Sequence, residues 1–351
     1  METRKEPEIR VTQLQHDQDG LWDQYVSEAP SSALYHLSGW KRVIENTFHH
    51  PTFYLCAWQE GRMVGVLPLV FLKSVLFGKF FVSIPFFNYG GLIADNASIR
   101  QVLLDEAMTL ARREGAEHIE LRHTDPFAEL NLPVKTSKVM MILDLPETSE
   151  ELWKGFKSKL RSQIRRPEKE GFTVKFGQLD ELDSFYEVFA WKMRDLGTPV
   201  YAKRLFEHIL TEFPHAAYIC TVYAEEQAIA SGFVVGFQEM LQIPWAATIR
   251  AYDRFGTNMM LYWNILKFAC EQGYTRFDFG RSTPDEGTYR FKKQWGAQPV
   301  PCYWHYWLSE GSELPELNPH NPKYAFAIKT WQRLPLAITK LLGPHIVKFL
   351  P

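Results

Sequence analysis

The chain has 351 residues, 46% hydrophobic and 15% aromatic, which is enough apolar material for a large core and a length that favours two domains over one. A formal net charge of −2 excludes nucleic-acid binding through an overall positive field, so any phosphate contact has to come from a local patch. The charged opening Met-Glu-Thr-Arg-Lys-Glu-Pro-Glu argues against a signal peptide. The most apolar region, 64–94, is interrupted by Pro68, Lys73, Lys79 and Pro85, which argues against a spanning helix. The expectation is a cytoplasmic protein. Cys56, Cys220, Cys270 and Cys302 lie too far apart for zinc or redox spacing, so buried thiols and no metal are expected.

From Val11 to Thr47 the pattern is helical. Trp22, Tyr25 and Val26, then Trp40, Val43, Ile44 and Phe48, recur at steps of three and four, with Ser38 as N-cap of the second helix. Strands follow at 53–58 and 63–71, flanking the turn Gln59-Glu60-Gly61-Arg62, and an apolar run at 80–86 leads to Asn88-Tyr89-Gly90-Gly91. A helix from Ser98 to Glu114, ended by Gly115, runs into a strand at 118–121. His49, His50 and His123 lack a partner at metal or triad spacing and read as loop or packing residues.

This plan is then written a second time. Tyr54-Leu55-Cys56 is answered by Tyr218-Ile219-Cys220, and the segment 110–121 matches 268–279 through helix end, glycine and strand. A repeat this long implies duplicated domains of mixed sheet and helix rather than a solenoid. Between the copies, residues 151–166 read as one amphipathic helix stopped by Pro167. Leu152, Phe156, Leu160 and Ile164 form its apolar stripe, and Lys154, Lys157, Arg161 and Arg165 a cationic stripe beside it. Six cations from Lys154 to Arg166 are offset by no acid, a pattern suited to phosphates.

The stretch 276–295 begins as a strand with Phe277 and Phe279 on one face and Asp278 on the other, and stops at Gly280. Arg281, Asp285, Glu286, Arg290, Lys292 and Lys293 then crowd a dozen residues. They are either a solvated loop or a grip on an anionic or carbonyl substrate. Beyond a proline-rich link at 314–322, Tyr324, Ile328, Trp331, Leu334, Ile338, Leu341 and Leu342 recur at helical spacing, with a break at Pro335. No acid follows Glu316, so this tail either clamps the second domain or lies on an anionic membrane.

The order helix, helix, hairpin, strand, helix, strand resembles the GNAT acyltransferase fold, and its tandem use resembles the FemABX aminoacyltransferases. The stretches Leu37-Ser-Gly-Trp40, Gly65-Val-Leu-Pro-Leu-Val70, Ser83-Ile-Pro-Phe-Phe-Asn-Tyr-Gly-Gly91, Phe277-Asp-Phe-Gly-Arg-Ser282 and Tyr289-Arg-Phe-Lys-Lys-Gln-Trp-Gly296 resemble the FemAB-related branch associated with exosortase (XrtA/PEP-CTERM) exopolysaccharide systems. The resemblance implies an α+β fold, a tandem pair of GNAT-like domains, each a mixed, mostly antiparallel sheet flanked by helices. The first would span 1–145 and the second 146–310, with 311–351 as link and amphipathic helix. It implies transfer of an aminoacyl or acyl group to an amine on a peptidoglycan, cell-envelope or exopolysaccharide precursor, carried by a nucleotide sugar or a lipid. The place implied is the cytoplasm, or the periphery of the inner membrane.

In that family the late Phe-Lys pair lies at the transfer site, a role that falls here on Phe291 and Lys292. Lys292 would stabilise the oxyanion and Asp278 or Glu286 would take a proton. Lys157, Arg161 and Arg165 would hold phosphate, and Arg281, Tyr289 and Arg290 would flank the transfer. Asn88, Tyr89 and Trp40 of the first half would wall an acceptor groove, although the glycines alone explain a turn there. The donor would be aminoacyl-tRNA or acyl-coenzyme A, with no resident cofactor. No long heptad arm for tRNA is present, and the turn where GNAT folds hold the coenzyme A pyrophosphate reads Asp253-Arg254-Phe255-Gly256, with an acid in place of a cation. Coenzyme A or acyl-carrier-protein dependent N-acyl transfer, and non-catalytic binding of a diphosphate-linked precursor, are the rival readings.

Overall fold

The structure, a computed structural model, describes residues 8–74, 77–315 and 322–350, with side chains from 325 in the last segment. The chain divides into two compact units. The first comprises 1–137, 301–315 and 349–351, and the second 138–300 and 316–348.

Unit 1 contains β1 (Ile9–Gln13), α1 (Asp19–Glu28), α2 (Gly39–Phe48), β2 (Thr52–Gln59), β3 (Arg62–Ser74), β4 (Gly78–Val82), β5 (Ile93–Ala94), α3 (Ala97–Glu114), β6 (His118–His123) and β7 (Val134–Lys135). Unit 2 holds β8 (Val139–Asp144), α4 (Ser149–Gly155), α5 (Ser158–Glu168), β9 (Thr173–Gly177), α6 (Leu182–Leu196), α7 (Lys203–Glu212), β10 (Ala217–Ala224), β11 (Gln227–Phe237), β12 (Met240–Thr248), α8 (Thr257–Glu271), β13 (Arg276–Ser282) and α9 (Gly287–Lys293). The chain finishes with β14 (Gln298–Pro301), β15 (Tyr303–Leu308), α10 (Pro322–Trp331) and α11 (Leu336–Val347). The sheets run β1-β2-β3-β4-β6-β15-β7, with β5 on β3, and β14-β8-β13-β12-β11-β10-β9. Strand β8 pairs antiparallel with β13, and β15 with β6. The expected cuts at 145 and 310 therefore fall beyond the strands that join each sheet.

Two sequence expectations need correction. The start of the presumed helical region is the edge strand β1, paired with β2 from Ile9↔Gln59 to Gln13↔Leu55. Ser38 precedes α2 but does not cap it, because its hydroxyl and backbone N–H both donate to the Asp23 carboxylate, at 2.9 and 2.7 Å. The repeat itself is plain in the backbone. Helices α3 and α8 are followed by glycines with positive φ, Gly115 at 67° and Gly273 at 78°, where a Cβ would be strained. Each helix then feeds a strand parallel to an earlier one, β6 to β4 and β13 to β12.

The parallel pair β12/β13 matters most for the site. It is bridged only at Met240↔Arg276, Leu241↔Phe277 and Gln242↔Asp278. Pro244 lies two residues on, with no N–H to donate, and the register between β12 and β11 slips at the same place. The two strands part there, and the Gly280 bulge (φ 78°) bends β13.

Candidate functional site

A cavity of about 480 Å³ lies in unit 2, and neither the residues at the parting of β12 and β13 nor Lys292 is among those that line it. Thr248 at the end of β12, Asp253, Gly256, Asn258 and Met259 around the start of α8, and Phe291 and Gln294 around α9 line it, together with Gln163 and Arg166 of α5 and Lys192 of α6. A cationic groove of about 740 Å³ adjoins it, lined by Ser158, Arg161, Ser162, Gln163, Arg165, Arg166 and Lys169. Gln163 and Arg166 belong to both walls, so a ligand can keep its anionic part on α5 and its reactive end near α9.

The basic helix that forms the groove differs from expectation. It is two helices, because Phe156 and Lys157 take extended backbone and end α4 before α5 begins. Pro167 sits inside α5 rather than stopping it. Leu152, Phe156, Leu160 and Ile164 are nevertheless all buried in the unit 2 core, and their burial holds both helices in one line of packing. Arg161 and Arg165 line the groove, Arg165 also lying over the Trp153 ring at 5.2 Å. Lys157 is exposed at the N-cap of α5.

Lys292 is buried, and its ammonium donates to the carbonyls of Gly280 and Arg281, both at 2.9 Å. These carbonyls face it because the Gly280 bulge turns the strand end toward α9, and Asp278 fixes the bulge by accepting the Gly280 N–H at 2.7 Å. Burial pulls the Lys292 pKa down to about 8, with Asp278 opposing and Arg281 reinforcing the shift. At neutral pH the group remains mostly charged. Its neighbour Phe291 lines the cavity and packs edge-on to Tyr262 at 5.1 Å.

Among the other expected residues, Asp278 and Tyr289 are buried beside this assembly, Tyr289 under the Lys293 ammonium at 5.6 Å. Glu286, Arg281 and Arg290 are exposed near α9. Gln242 Oε1, Thr257 Oγ1, Ser282 Oγ and Trp295 Nε1 are buried without hydrogen-bond partners. All four sit on the elements that frame the parting strands or on the residues just after them, and Ser32, Tyr54, Arg194 and Trp331 carry such atoms elsewhere. Asp253 accepts from the Thr248 hydroxyl at 2.9 Å on the cavity wall, and Arg254 lies over the Phe255 ring at 4.5 Å. An acid therefore occupies the wall where a diphosphate on the α8 turn would rest.

The first-half residues are placed differently. Trp40 is wholly buried, its indole N–H on the Leu34 carbonyl at 2.9 Å and its ring against Phe87 at 4.5 Å, so it has no face for a substrate. Tyr89 packs edge-on to Tyr35, and the Asn88 carbonyl accepts from the Trp304 indole at 3.1 Å. The strand end of β6, equivalent to that of β13, is filled from within unit 1. Arg122 pairs with Glu120 at 2.6 Å and lies over the Trp304 ring at 4.5 Å. His123 is not a lone packing residue, since its Nδ1 meets His305 Nδ1 at 2.9 Å. His123 Nε2 accepts the Leu92 N–H and His305 Nε2 donates to the Pro126 carbonyl, an arrangement that requires both rings to be neutral. Burial pushes both pKa values below the usual histidine value.

Gln163, Arg166, Lys192, Thr248, Asn258, Met259 and Gln294 were not singled out one by one by sequence reasoning. Only Arg166 and Gln163 carried a signal, lying three residues apart on the cationic helix.

The sequence profile of the acetyltransferase (GNAT) domain family matches residues 154–293, inside unit 2 and less than half of the chain. A comparison with curated protein sequences finds no match. Among solved structures the chain is similar to FemX, with a TM-score of 0.66 and 18% identity, over 84% of this chain and 96% of that one. It is also similar to L-PGS from Bacillus licheniformis, with a TM-score of 0.56 and 16% identity over 94% and 98% of the two chains. A tandem GNAT protein from the clavulanic acid biosynthesis pathway aligns with a TM-score of 0.56 and 13% identity over 88% and 100%. The chain thus has a FemABX-like α+β fold, a tandem pair of GNAT-like domains built on two mixed sheets flanked by helices.

Proposed function

We propose that the chain is an acyltransferase of FemAB type, in the branch linked to XrtA/PEP-CTERM systems, that moves an aminoacyl or acyl group onto an amine of a cell-envelope or exopolysaccharide precursor. The observation that carries this reading is the cavity walled by the end of β12, the start of α8 and α9, which shares Gln163 and Arg166 with a cationic groove. The groove suits a phosphate-bearing precursor, a nucleotide sugar or a lipid-linked diphosphate, held by Arg161, Arg165 and Arg166. Lys157, exposed one residue before the groove, and Arg281 and Arg290, exposed near α9, would extend the cationic contact.

In the transfer, the precursor amine attacks the carbonyl carbon of the donor ester, and collapse of the tetrahedral intermediate breaks the ester C–O bond and releases the donor as its alcohol, which takes up the proton that the amine loses. Negative charge gathers on the carbonyl oxygen of that intermediate. Lys292 uses two of its three N–H groups on Gly280 and Arg281, so its direction is set before substrate arrives. The third N–H would donate to the oxyanion, an interaction worth several kcal/mol in a buried site. Phe291, on the cavity wall, would pack against the donor. Asp278 acts here as a positioning residue for the bulge, and Glu286 remains the candidate base. The acid at Asp253 weighs against coenzyme A as donor, and an aminoacyl ester, including that of aminoacyl-tRNA, is the donor taken here.

Mass spectrometry of small molecules released from the purified protein, wild type and Arg166→Glu in parallel, tests the reading. A diphosphate-bearing, amine-bearing compound should leave the wild type and be missing from the variant. Release of the same phosphate compounds from both would overturn the placement of the precursor.

A further inference from the structure

Helix α11 is amphipathic in the wrong sense for a helix that clamps a domain. Its buried positions, Thr339, Gly343 and Val347, recur every four residues and are mostly small. Its large aliphatic residues, Ile338, Leu341, Leu342 and Ile346, form a second stripe that faces out, with Leu341 68% exposed. The rotational phase is fixed by Gly343, where a Cβ would come within 2.8 Å of the Val200 backbone nitrogen and oxygen. Lys340 secures one flank on Glu187 of α6. Turning the aliphatic stripe inward would break both contacts. On α10, Phe326 is 75% exposed, while Ile328 packs on Gly197.

We propose that α10 and α11 form a docking face for an anionic lipid bilayer, lying in its interface with the aliphatic stripe inserted. Charge selects the partner. Lys329 and Arg333 are exposed, Lys323 precedes them in sequence, and no acid follows Glu316. Glu187 on α6 is paired with Lys340. A second copy of the chain docked face to face would set these cations against themselves across a two-fold axis, whereas anionic headgroups neutralise them. Twelve residues of α11 reach about 18 Å, too short to cross, and no described helix is long and apolar enough to span. The helix lies on the surface. This inference does not depend on acyl transfer at the unit 2 cavity.

The test is co-sedimentation of the full chain with vesicles of phosphatidylcholine alone and of phosphatidylcholine mixed with phosphatidylglycerol. The wild type should bind the mixed vesicles, and added salt should weaken binding. Leu341→Ser/Leu342→Ser should weaken it at least tenfold. Lys329→Ala/Arg333→Ala should weaken it about 25-fold, fivefold for each cation. All four side chains are exposed, so thermal unfolding of both variants should match the wild type. Absence of binding, equal binding to both vesicle types, or unchanged binding by the leucine variant would each overturn the proposal. So would a dimer in solution that the leucine variant dissolves.

Discussion

The burial of Lys292 makes a prediction that needs no substrate. Its ordinary pKa of about 10.5 applies when the chain is unfolded, whereas the folded value is about 8. Below pH 8 both states hold the proton and the folded state bears the cost of desolvating it. Between pH 8 and 10.5 the unfolded state binds more protons, so stability rises with pH across that window. From pH 7 to pH 10 the gain works out at about 2.5 kcal/mol. Lys292→Met removes both the desolvation cost and the hydrogen bonds to Gly280 and Arg281, so the two effects offset at pH 7. Only the wild type should gain from the higher pH. Urea unfolding of both proteins at pH 7 and pH 10 gives the double difference, which is free of other lysines and tyrosines. Parallel pH dependence in the two proteins would refute the buried, desolvated ammonium.

Arg166→Ala should weaken binding of inorganic pyrophosphate about ten- to hundredfold, measured by calorimetry, because it removes the one cation common to cavity and groove. His36, buried with Nε2 donating to the Gly91 carbonyl, has its pKa lowered to about 4 by burial. Its contribution is fully present above pH 6.5 and is lost as pH falls toward 4, about 2 kcal/mol by pH 5. Thermal unfolding of His36→Gln at pH 7.5 and 5 should show a correspondingly shallower acid sensitivity. Gly91→Ala places a Cβ within 2.2 Å of His123 Cδ2 and should destabilise the protein by about 1–3 kcal/mol in urea unfolding, as overpacking does. Trp40→Ala should cost about 3–5 kcal/mol in the same assay while leaving pyrophosphate binding unchanged, since its ring is core and not groove.

The duplicated plan could be read from sequence because its markers are local. A glycine at the end of a helix and an apolar alternation after it act within a few residues, and Gly115 and Gly273 do in the structure what their positions suggest. Strand β1 overlaps the helical pattern from Val11 because five edge residues are too few to tell a period of two from one of 3.6. The break at Phe156 was hidden for a different reason. Leu152 to Ile164 keep helical spacing across it, and tertiary burial, not local propensity, holds the two pieces in line. The site itself was half legible. Phe291 and the cations of α5 stand out, whereas Thr248, Lys192 and Gln294 come together only when separate elements meet around one cavity. The pairing of His123 with His305 joins residues 182 positions apart, which no spacing rule can show.

The most direct measurement is the initial rate of transfer of a radiolabelled amino acid from aminoacyl-tRNA, or of acetyl from acetyl-coenzyme A, onto an extract of cell-envelope precursors. The account predicts transfer from the aminoacyl ester. It predicts a kcat lower by at least about a hundredfold with KM kept in Lys292→Met, and a raised KM with kcat kept in Arg166→Ala. Undiminished transfer by the Lys292→Met variant, or no transfer from either donor by the wild type, would contradict it.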